Sequence, residues 1–206
     1  FVSLEDVENA ITEKTILISV MFANNEIGTI EPVCEIGEIA HKHGILFHTD
    51  AVQAMCHVPI NVTEMNIDLL SASAHKFHGP KGVGFMYMKN SAKLEPFIHG
   101  GAQERARRAG TSNVPGIVGM GKAVKLALDT LDKDTHTIIN MRNYIVDRIL
   151  GEIPDVTFDG PCIDANAVSA GSPAGSLKRL PSNMHFCFKD VSGDSLLIML
   201  DMNGIC

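Results

Sequence analysis

Three polar residues in this sequence stand where chemistry is to be expected. Asn25, Asp50 and Lys76 each come just after a short, uncharged or weakly polar run that predicts a strand, and they recur at nearly equal intervals. In an α/β sheet, ligands collect at the carboxyl ends of the strands. We therefore expect an amide, a carboxylate and an amine to share one site.

These groups suit pyridoxal phosphate (PLP). A lysine forms an imine with its aldehyde, and an aspartate pairs with its pyridinium nitrogen. Lys76 and Asp50 are the candidates for these two roles. The alternatives are an ordinary solvated lysine and a carboxylate that caps its own turn. The uncharged run before Lys76 and the Gly/Pro-rich turn after it, residues 77–84, favour the cofactor interpretation.

Other polar residues near this pair could complete a cofactor site. Gln53 follows Asp50 closely and could hydrogen-bond the phenolic oxygen of the ring. Ser73 and His75 alternate on a predicted strand end, so both should point to one face. With Thr111 they could hold the phosphate, although Ser73 could equally be a buried serine that bonds its own backbone.

The histidines and cysteines do not predict a metal site or a disulfide framework. The nine histidines and five cysteines include no zinc-ligand spacing such as C-x2-C or H-E-x-x-H. An odd number of cysteines without a CxxC pair fits a reducing cytoplasm. The residues considered and set aside as metal ligands are His41, His43, His48, Cys56, His57, His75 and His78.

Composition narrows the functional class. A net charge of −7 and a pI near 5.7 argue against a general nucleic-acid binder, which needs a basic face. No apolar run approaches the roughly 18 residues of a membrane helix, and the first residues do not resemble a signal peptide. We expect a cytoplasmic protein.

The pattern of apolar residues predicts an α/β domain with a mostly parallel sheet. A right-handed crossover should make the first two strands parallel, and the run 84–88 could return as a hairpin partner. The predicted elements of this part are a helix over 3–13, a strand over 15–22, a helix over 32–43, and strands over 45–49, 67–73 and 84–88.

In the second part of the chain, the apolar periodicity predicts two successive helices, over 115–131 and 135–150, followed by a small α+β region. That region has strands over 156–158 and 184–188, a loop over 166–181, and a helix over 194–202 capped by Ser192. We expect a domain boundary near residue 130. It would separate a PLP-binding large domain, 1–130, from a small domain, 131–206.

Five motifs together resemble the cysteine desulfurases, in the aminotransferase class V group of fold-type I PLP enzymes. They occur in the order and spacing of that family across most of the chain. The motifs are NNEIG (24–28), HTDAVQ (48–53), SAHKFHGPKG (73–82), GGAQER (100–105) and RAGT (108–111).

The resemblance implies a role for each candidate. Lys76 would bind the cofactor covalently and move protons, with His75 as a second catalytic candidate, and Asp50 would pair with the pyridine nitrogen. Gln53 and Asn25 would contact the phenolic oxygen, and Asn25 would also reach the substrate carboxylate. The implied phosphate ligands are Ser73, His75 and, from across a dimer interface, Thr111.

The implied reaction converts L-cysteine to L-alanine and transfers sulfur to an enzyme cysteine, for iron–sulfur cluster or thio-cofactor assembly. A homodimer and a sulfur-acceptor or scaffold protein are the implied partners. The family also uses an upstream ring-stacking histidine, and a nucleophilic cysteine and an arginine that we expect beyond Cys206. We therefore expect a central, partial desulfurase that is inactive alone. The alternatives are a selenocysteine lyase or a non-catalytic dimerising remnant.

Overall fold

The computed structural model describes residues 1–162 and 177–205. Most of the predicted loop 166–181 and Cys206 therefore lie outside the described residues. The elements, in chain order, are α1 (Leu4–Asn9), β1 (Leu17–Met21), α2 (Val33–Lys42), β2 (Leu46–Asp50), β3 (Leu69–Ser73), the 3-10 helix η1 (Ala74–Phe77), β4 (Gly84–Met88), α3 (Gln103–Ala106), α4 (Val114–Glu152), β5 (Val156–Phe158), β6 (Phe186–Phe188) and α5 (Gly193–Met202).

The main sheet has four strands in the order β1-β2-β3-β4. The first three are parallel, and β4 returns antiparallel to β3. This confirms the predicted α/β class with one reversed strand. The register places Met21, Asp50 and Ser71 side by side, so the carboxyl ends of the three parallel strands form one edge.

The core lies between one face of this sheet and α2. Phe47, Thr49 and Ala72 point to that face and are buried, and Ile36 and Ala40 of α2 are fully buried. Burying a large apolar side chain stabilises a fold by about 1.5–3 kcal/mol, so these contacts fix the sheet against the helix. The strand ends are therefore held in place by a packed core.

The long helix α4 corrects the prediction of two helices. It runs without interruption for 39 residues. Its middle carries the polar stretch 129–135, but this stretch has no Gly or Pro to break the helix. Instead its side chains bond along the helix, as when the Thr130 hydroxyl donates to Asp134 at 2.6 Å. The helix continues through residue 130, where we expected the domain boundary.

The two strands that the sequence predicts for this region, β5 and β6, form an antiparallel pair. Backbone hydrogen bonds tie the segment before β6 to the loop after β1: Leu180 N–H donates to Gly28 O at 2.8 Å, and Ile30 N–H donates to Lys178 O at 3.0 Å. Gly28 has φ +73°, and a Cβ there would overlap the Asn183 side chain. A glycine is therefore required at this contact.

Helix α5 begins as predicted, with the Ser192 side chain accepting a hydrogen bond from Ser195 N–H. Among the described helices, none combines the length and the apolar character needed to cross a bilayer.

Candidate active site

Asp50 and Ser73 lie at the same edge of the sheet, because each is the last residue of its strand and the two strands are adjacent and parallel. Asp50 is exposed. Its backbone is fixed by the Phe22 N–H, which donates to Asp50 O at 2.8 Å. Its Oδ1 accepts from Val52 N–H at 2.9 Å. The carboxylate thus caps its own turn and also faces solvent at the edge where ligands bind.

Lys76 is carried by η1, which begins directly after β3. Ala74 and Phe77 of this short helix are buried, at 0% and 1% exposure, while His75 is exposed and Lys76 is half-buried. His57 Nε2 lies 2.9 Å from Lys76 O. A carbonyl oxygen only accepts, so His57 must carry its proton on Nε2 and donate it. The buried side chains of Ala74 and Phe77 and this hydrogen bond fix the backbone of Lys76.

The turn after Lys76 depends on Gly79. His78 ends η1 with a left-handed φ of 64°, and Gly79 N–H donates to Ala74 O at 2.8 Å. A Cβ at Gly79 would lie 2.8 Å from Ala74 Cβ and 2.9 Å from Ala74 O, closer than such atoms approach. The glycine lets the chain fold back tightly against η1.

Ser73 and His75 lie side by side, but His75 is not on the strand where the sequence predicts both residues to alternate. Ser73 Oγ lies 2.8 Å from His75 Nδ1. One residue ends β3 and the other belongs to η1, so the bend between the two elements creates the pair. A hydroxyl and an imidazole side by side can both donate to the oxygens of a phosphate.

The remaining candidates lie on three loops, and the hydrogen bonds of the described residues do not join them to Ser73 or His75. Gln53 is half-buried in the turn after β2, and Thr111 is exposed just before α4. Asn25 is exposed in the loop after β1. The neighbouring Asn24 shapes that loop, because its Oδ1 accepts from Glu26 N–H and Ile27 N–H, both at 2.9 Å.

His48, in the middle of β2, lies two residues before Asp50 on the same face of the sheet, and the sequence interpretation considered it only as a metal ligand. Its Nδ1 lies 2.8 Å from Ser19 Oγ and its Nε2 2.9 Å from Ser71 Oγ, so it bridges β1 and β3 across β2. Burial lowers the pKa of His48, and the Asp50 carboxylate partly opposes this. The spacing His48-x-Asp50 places both side chains on one face, which is the signal that could have revealed it.

The described cavities do not coincide with this edge. A cavity of about 310 Å³ lies between η1 and α4, with Cys56, His57 and Phe77 in its lining. A cleft of about 470 Å³ lies near Glu8 and Ile45, at the amino end of β2. Neither is lined by Asp50 or Lys76. The candidate site is therefore defined by its functional groups at the strand ends and not by either of these two cavities.

The family model for the aminotransferase class V proteins matches residues 1–206. The chain belongs to the aminotransferase class V family. Among curated relatives, a cysteine desulfurase IscS of Clostridium botulinum is 53% identical over 205 residues, covering 100% of this chain and 49% of that protein. A cysteine desulfurase IscS of Methanosarcina thermophila is 48% identical, covering 99% of this chain and 47% of its own length.

Solved structures give the same result for the fold. A NifS-like protein matches with a TM-score of 0.86 and 36% identity, covering 99% of this chain and 52% of that one. A structure described as SspA in complex with cysteine matches with a TM-score of 0.70 and 33% identity, covering 98% of this chain and 51% of that one. The resemblance read from the motifs is thus confirmed. The chain spans about half the length of the curated relatives it matches.

Proposed function

We propose that this chain forms the lysine-bearing part of a PLP-dependent cysteine desulfurase. The observation that carries the proposal is the shared sheet edge of Asp50, Ser73 and the η1 segment with Lys76. The identity to cysteine desulfurases and the cysteine complex of the SspA structure support L-cysteine as the substrate.

The residues at this edge fit PLP. Asp50 offers an exposed carboxylate to a pyridinium nitrogen, and Ser73 and His75 offer paired donors to a phosphate. Lys76 offers an amine whose backbone is fixed by buried neighbours and by His57. When bound, PLP supplies an electron sink that stabilises negative charge at the substrate Cα.

Lys76 has two tasks in this proposal. Its Nζ would hold the cofactor, and as a free amine it would accept the Cα proton of L-cysteine as a general base. Asp50 holds the ring nitrogen in its protonated form. Gln53 and Asn25 orient the phenolic oxygen, and Asn25 also contacts the substrate carboxylate.

Sulfur transfer then needs a thiolate that attacks the substrate sulfur: the S–S bond of a persulfide would form as the Cβ–S bond breaks, its electron pair would stay with the carbon skeleton, and protonation of that skeleton would give L-alanine. Burial raises the pKa of Cys34 and of Cys56, so neither is suited to that role. We also propose a cytoplasmic homodimer that delivers its sulfur to an acceptor or scaffold protein for iron–sulfur cluster assembly.

Titration of the chain with PLP tests the proposal. A lysine imine gives a visible absorbance band and a borohydride-reducible adduct. We expect both for the unmodified chain and for Lys81→Ala, which removes an exposed lysine of the same turn, and neither for Lys76→Ala. An adduct retained by Lys76→Ala would assign another lysine. No adduct in the unmodified chain would favour a non-catalytic remnant.

A further inference from the structure

The β5–β6 pair presents two different faces. The register pairs Thr157 with Cys187 and Phe158 with Phe186, and Asp159 N–H donates to His185 O at 3.0 Å. Because side chains alternate along a strand, the polar residues of both strands share one face. This face carries Thr157, Asp159, His185 and Cys187.

The aromatic face holds this register in place. Phe158 and Phe186 have ring centroids 5.3 Å apart, and the Arg179 guanidinium lies 4.2 Å over the Phe158 ring. A slip of one residue would move every side chain of a strand to the opposite face. The packing of the phenylalanines therefore also fixes the polar groups behind them.

The polar face gathers three potential ligand atoms around one carboxylate. Asp159 Oδ2 lies 2.9 Å from Cys187 Sγ and 3.0 Å from His185 Nδ1. The thiol donates to this oxygen, and the Thr157 hydroxyl lies 3.3 Å from Asp159 Oδ1. One ligand atom from each of Asp159, His185 and Cys187 lies within 4.8 Å of the other two.

We propose that Asp159, His185 and Cys187 form a binding site for a thiophilic divalent cation such as Zn²⁺. Thiolate, imidazole and carboxylate are the ligands that Zn²⁺ takes, at about 2.3, 2.0–2.1 and 2.0–2.2 Å. A tetrahedral arrangement at these lengths separates ligand atoms by about 3.3–3.6 Å. Asp159 Oδ2 and His185 Nδ1 are about 0.3–0.5 Å closer than this range requires, and Asp159 Oδ2 and Cys187 Sγ are about 0.6–0.7 Å closer, so a cation would move the ligand atoms slightly apart. A water completes the fourth position.

Metal uptake replaces the thiol proton of Cys187 by the cation. The S–H proton of Cys187 leaves to solvent, and the thiolate sulfur binds the cation in its place. His185, whose Nδ1–H donates to Asp159 before uptake, gives up that proton and carries one on Nε2 instead, so that it binds through the freed Nδ1 lone pair as a neutral imidazole, and Asp159 remains a carboxylate. The two negative charges offset the cation, so uptake should release about one proton per metal ion near neutral pH.

The same residues are not arranged as a nucleophile. A histidine activates a cysteine by lying next to its sulfur, but here the Asp159 carboxylate accepts from both. The hydrogen bond to Asp159 raises the pKa of the Cys187 thiol, which opposes a free thiolate. A cation bound in place of the thiol proton offsets the negative charge of Asp159 and so stabilises the Cys187 thiolate.

The site is joined to the loop that carries Asn25. Arg179 donates to Asp159 O and, at 2.9 Å, to Asn183 Oδ1. Asn183 Nδ2 donates to Glu26 O at 2.7 Å. Metal uptake would therefore stabilise the strand pair and its attachment to the first part of the chain. This proposal does not depend on the proposed desulfurase function.

Addition of Co²⁺ and then Zn²⁺ to the chain tests the site. We expect one equivalent of Co²⁺ with a thiolate charge-transfer band in the near ultraviolet, displacement by Zn²⁺, about one proton released per ion, and a higher Tm. Cys187→Ser should lose the band. His185→Asn and Asp159→Asn should weaken metal binding about tenfold or more. Loss of a residue that only hydrogen-bonds to a metal ligand already lowers metal affinity by that factor.

Two matched variants control for other thiols and imidazoles. Cys34→Ser removes a half-buried cysteine and His99→Asn an exposed histidine, both outside the cluster, and both should bind as the unmodified chain does. Circular dichroism reports whether each variant is folded. The proposal is wrong if the unmodified chain retains no metal after gel filtration. It is also wrong if Cys187→Ser keeps the band, or if all three cluster variants bind unchanged.

Discussion

Among single residues, Asp68 shows how one buried carboxylate connects several elements. Its side chain is 4% exposed and accepts from Phe47 N–H at 3.0 Å, with His41 Nε2 at 2.8 Å and Lys89 Nζ at 3.1 Å. Burial alone raises the pKa of this carboxyl, but the three donors outweigh it, so the pKa lies below its ordinary value of 3.8. The ionised form is the one that the fold stabilises.

Asp68→Asn should lower the free energy of unfolding by about 2 kcal/mol near neutral pH, since it removes charge-assisted hydrogen bonds in a buried setting. A depressed folded-state pKa gives stability that is complete above the unfolded value, about 3.9, and lost as pH falls through the folded value. The difference in the free energy of unfolding between Asp68→Asn and the unmodified chain should therefore become smaller below about pH 4.

Urea unfolding at neutral pH and at several values below about pH 5 measures this difference. Asp129→Asn is the matched control, because Asp129 forms an exposed pair with Lys125 along α4. Its effect should stay below about 1 kcal/mol. Equal destabilisation by the two variants would contradict the role given to Asp68.

Among the elements, η1 is the one that positions Lys76, and its geometry depends on the close approach of Gly79 to Ala74. Gly79→Ala should force η1 away from the end of β3 and weaken PLP binding about tenfold or more, a loss that misplacement of about 1 Å can produce. Gly121→Ala is the control: it lies in α4 with nothing within 4 Å of its Cβ position. Alanine there should stabilise the helix by about 1 kcal/mol.

PLP titration of Gly79→Ala and Gly121→Ala compares their PLP affinities, and thermal unfolding compares their stabilities. Undiminished PLP affinity in Gly79→Ala would show that the tight turn does not position the lysine.

At the scale of the whole molecule, one face of the main sheet is packed and the other is open. The open face carries Leu17 and Met86, which are 42% and 55% exposed, beside Ser19 and Ser71. Parallel strands are usually covered on both faces. The described residues thus leave part of this face exposed.

Mixing two variants that are each defective in PLP binding tests whether the dimer completes the cofactor site. If Thr111 binds the phosphate of the partner's PLP, a dimer of Lys76→Ala with Thr111→Val contains one intact site. We therefore expect Thr111→Val to bind PLP weakly and Lys76→Ala to form no imine, while the mixture recovers part of the imine absorbance. Sedimentation should show a dimer. No recovery in a mixture that forms dimers would place Thr111 in the site of its own chain.

The sequence by itself determined most of the local elements and proposed the main groups of the candidate site. Apolar periodicity found the strands and α2, and polar residues after apolar runs found Asp50 and Lys76, because strand ends and helix faces depend on neighbours along the chain. It divided α4 in two because a polar stretch resembles a boundary, whereas only Gly or Pro would have broken the helix. The assigned roles of Asn25, Gln53 and Thr111 stay predictions.

Only the tertiary structure decided which distant residues meet. The bridge from His48 to Ser19 and Ser71 requires the strand order β1-β2-β3, and the bond from His57 to Lys76 O requires η1 to pack on the turn after β2. The metal site we propose has no recognisable ligand spacing, because Asp159 is far in sequence from His185 and Cys187. Strand register sets such contacts, and register follows from side-chain packing between strands that the local sequence pattern does not specify.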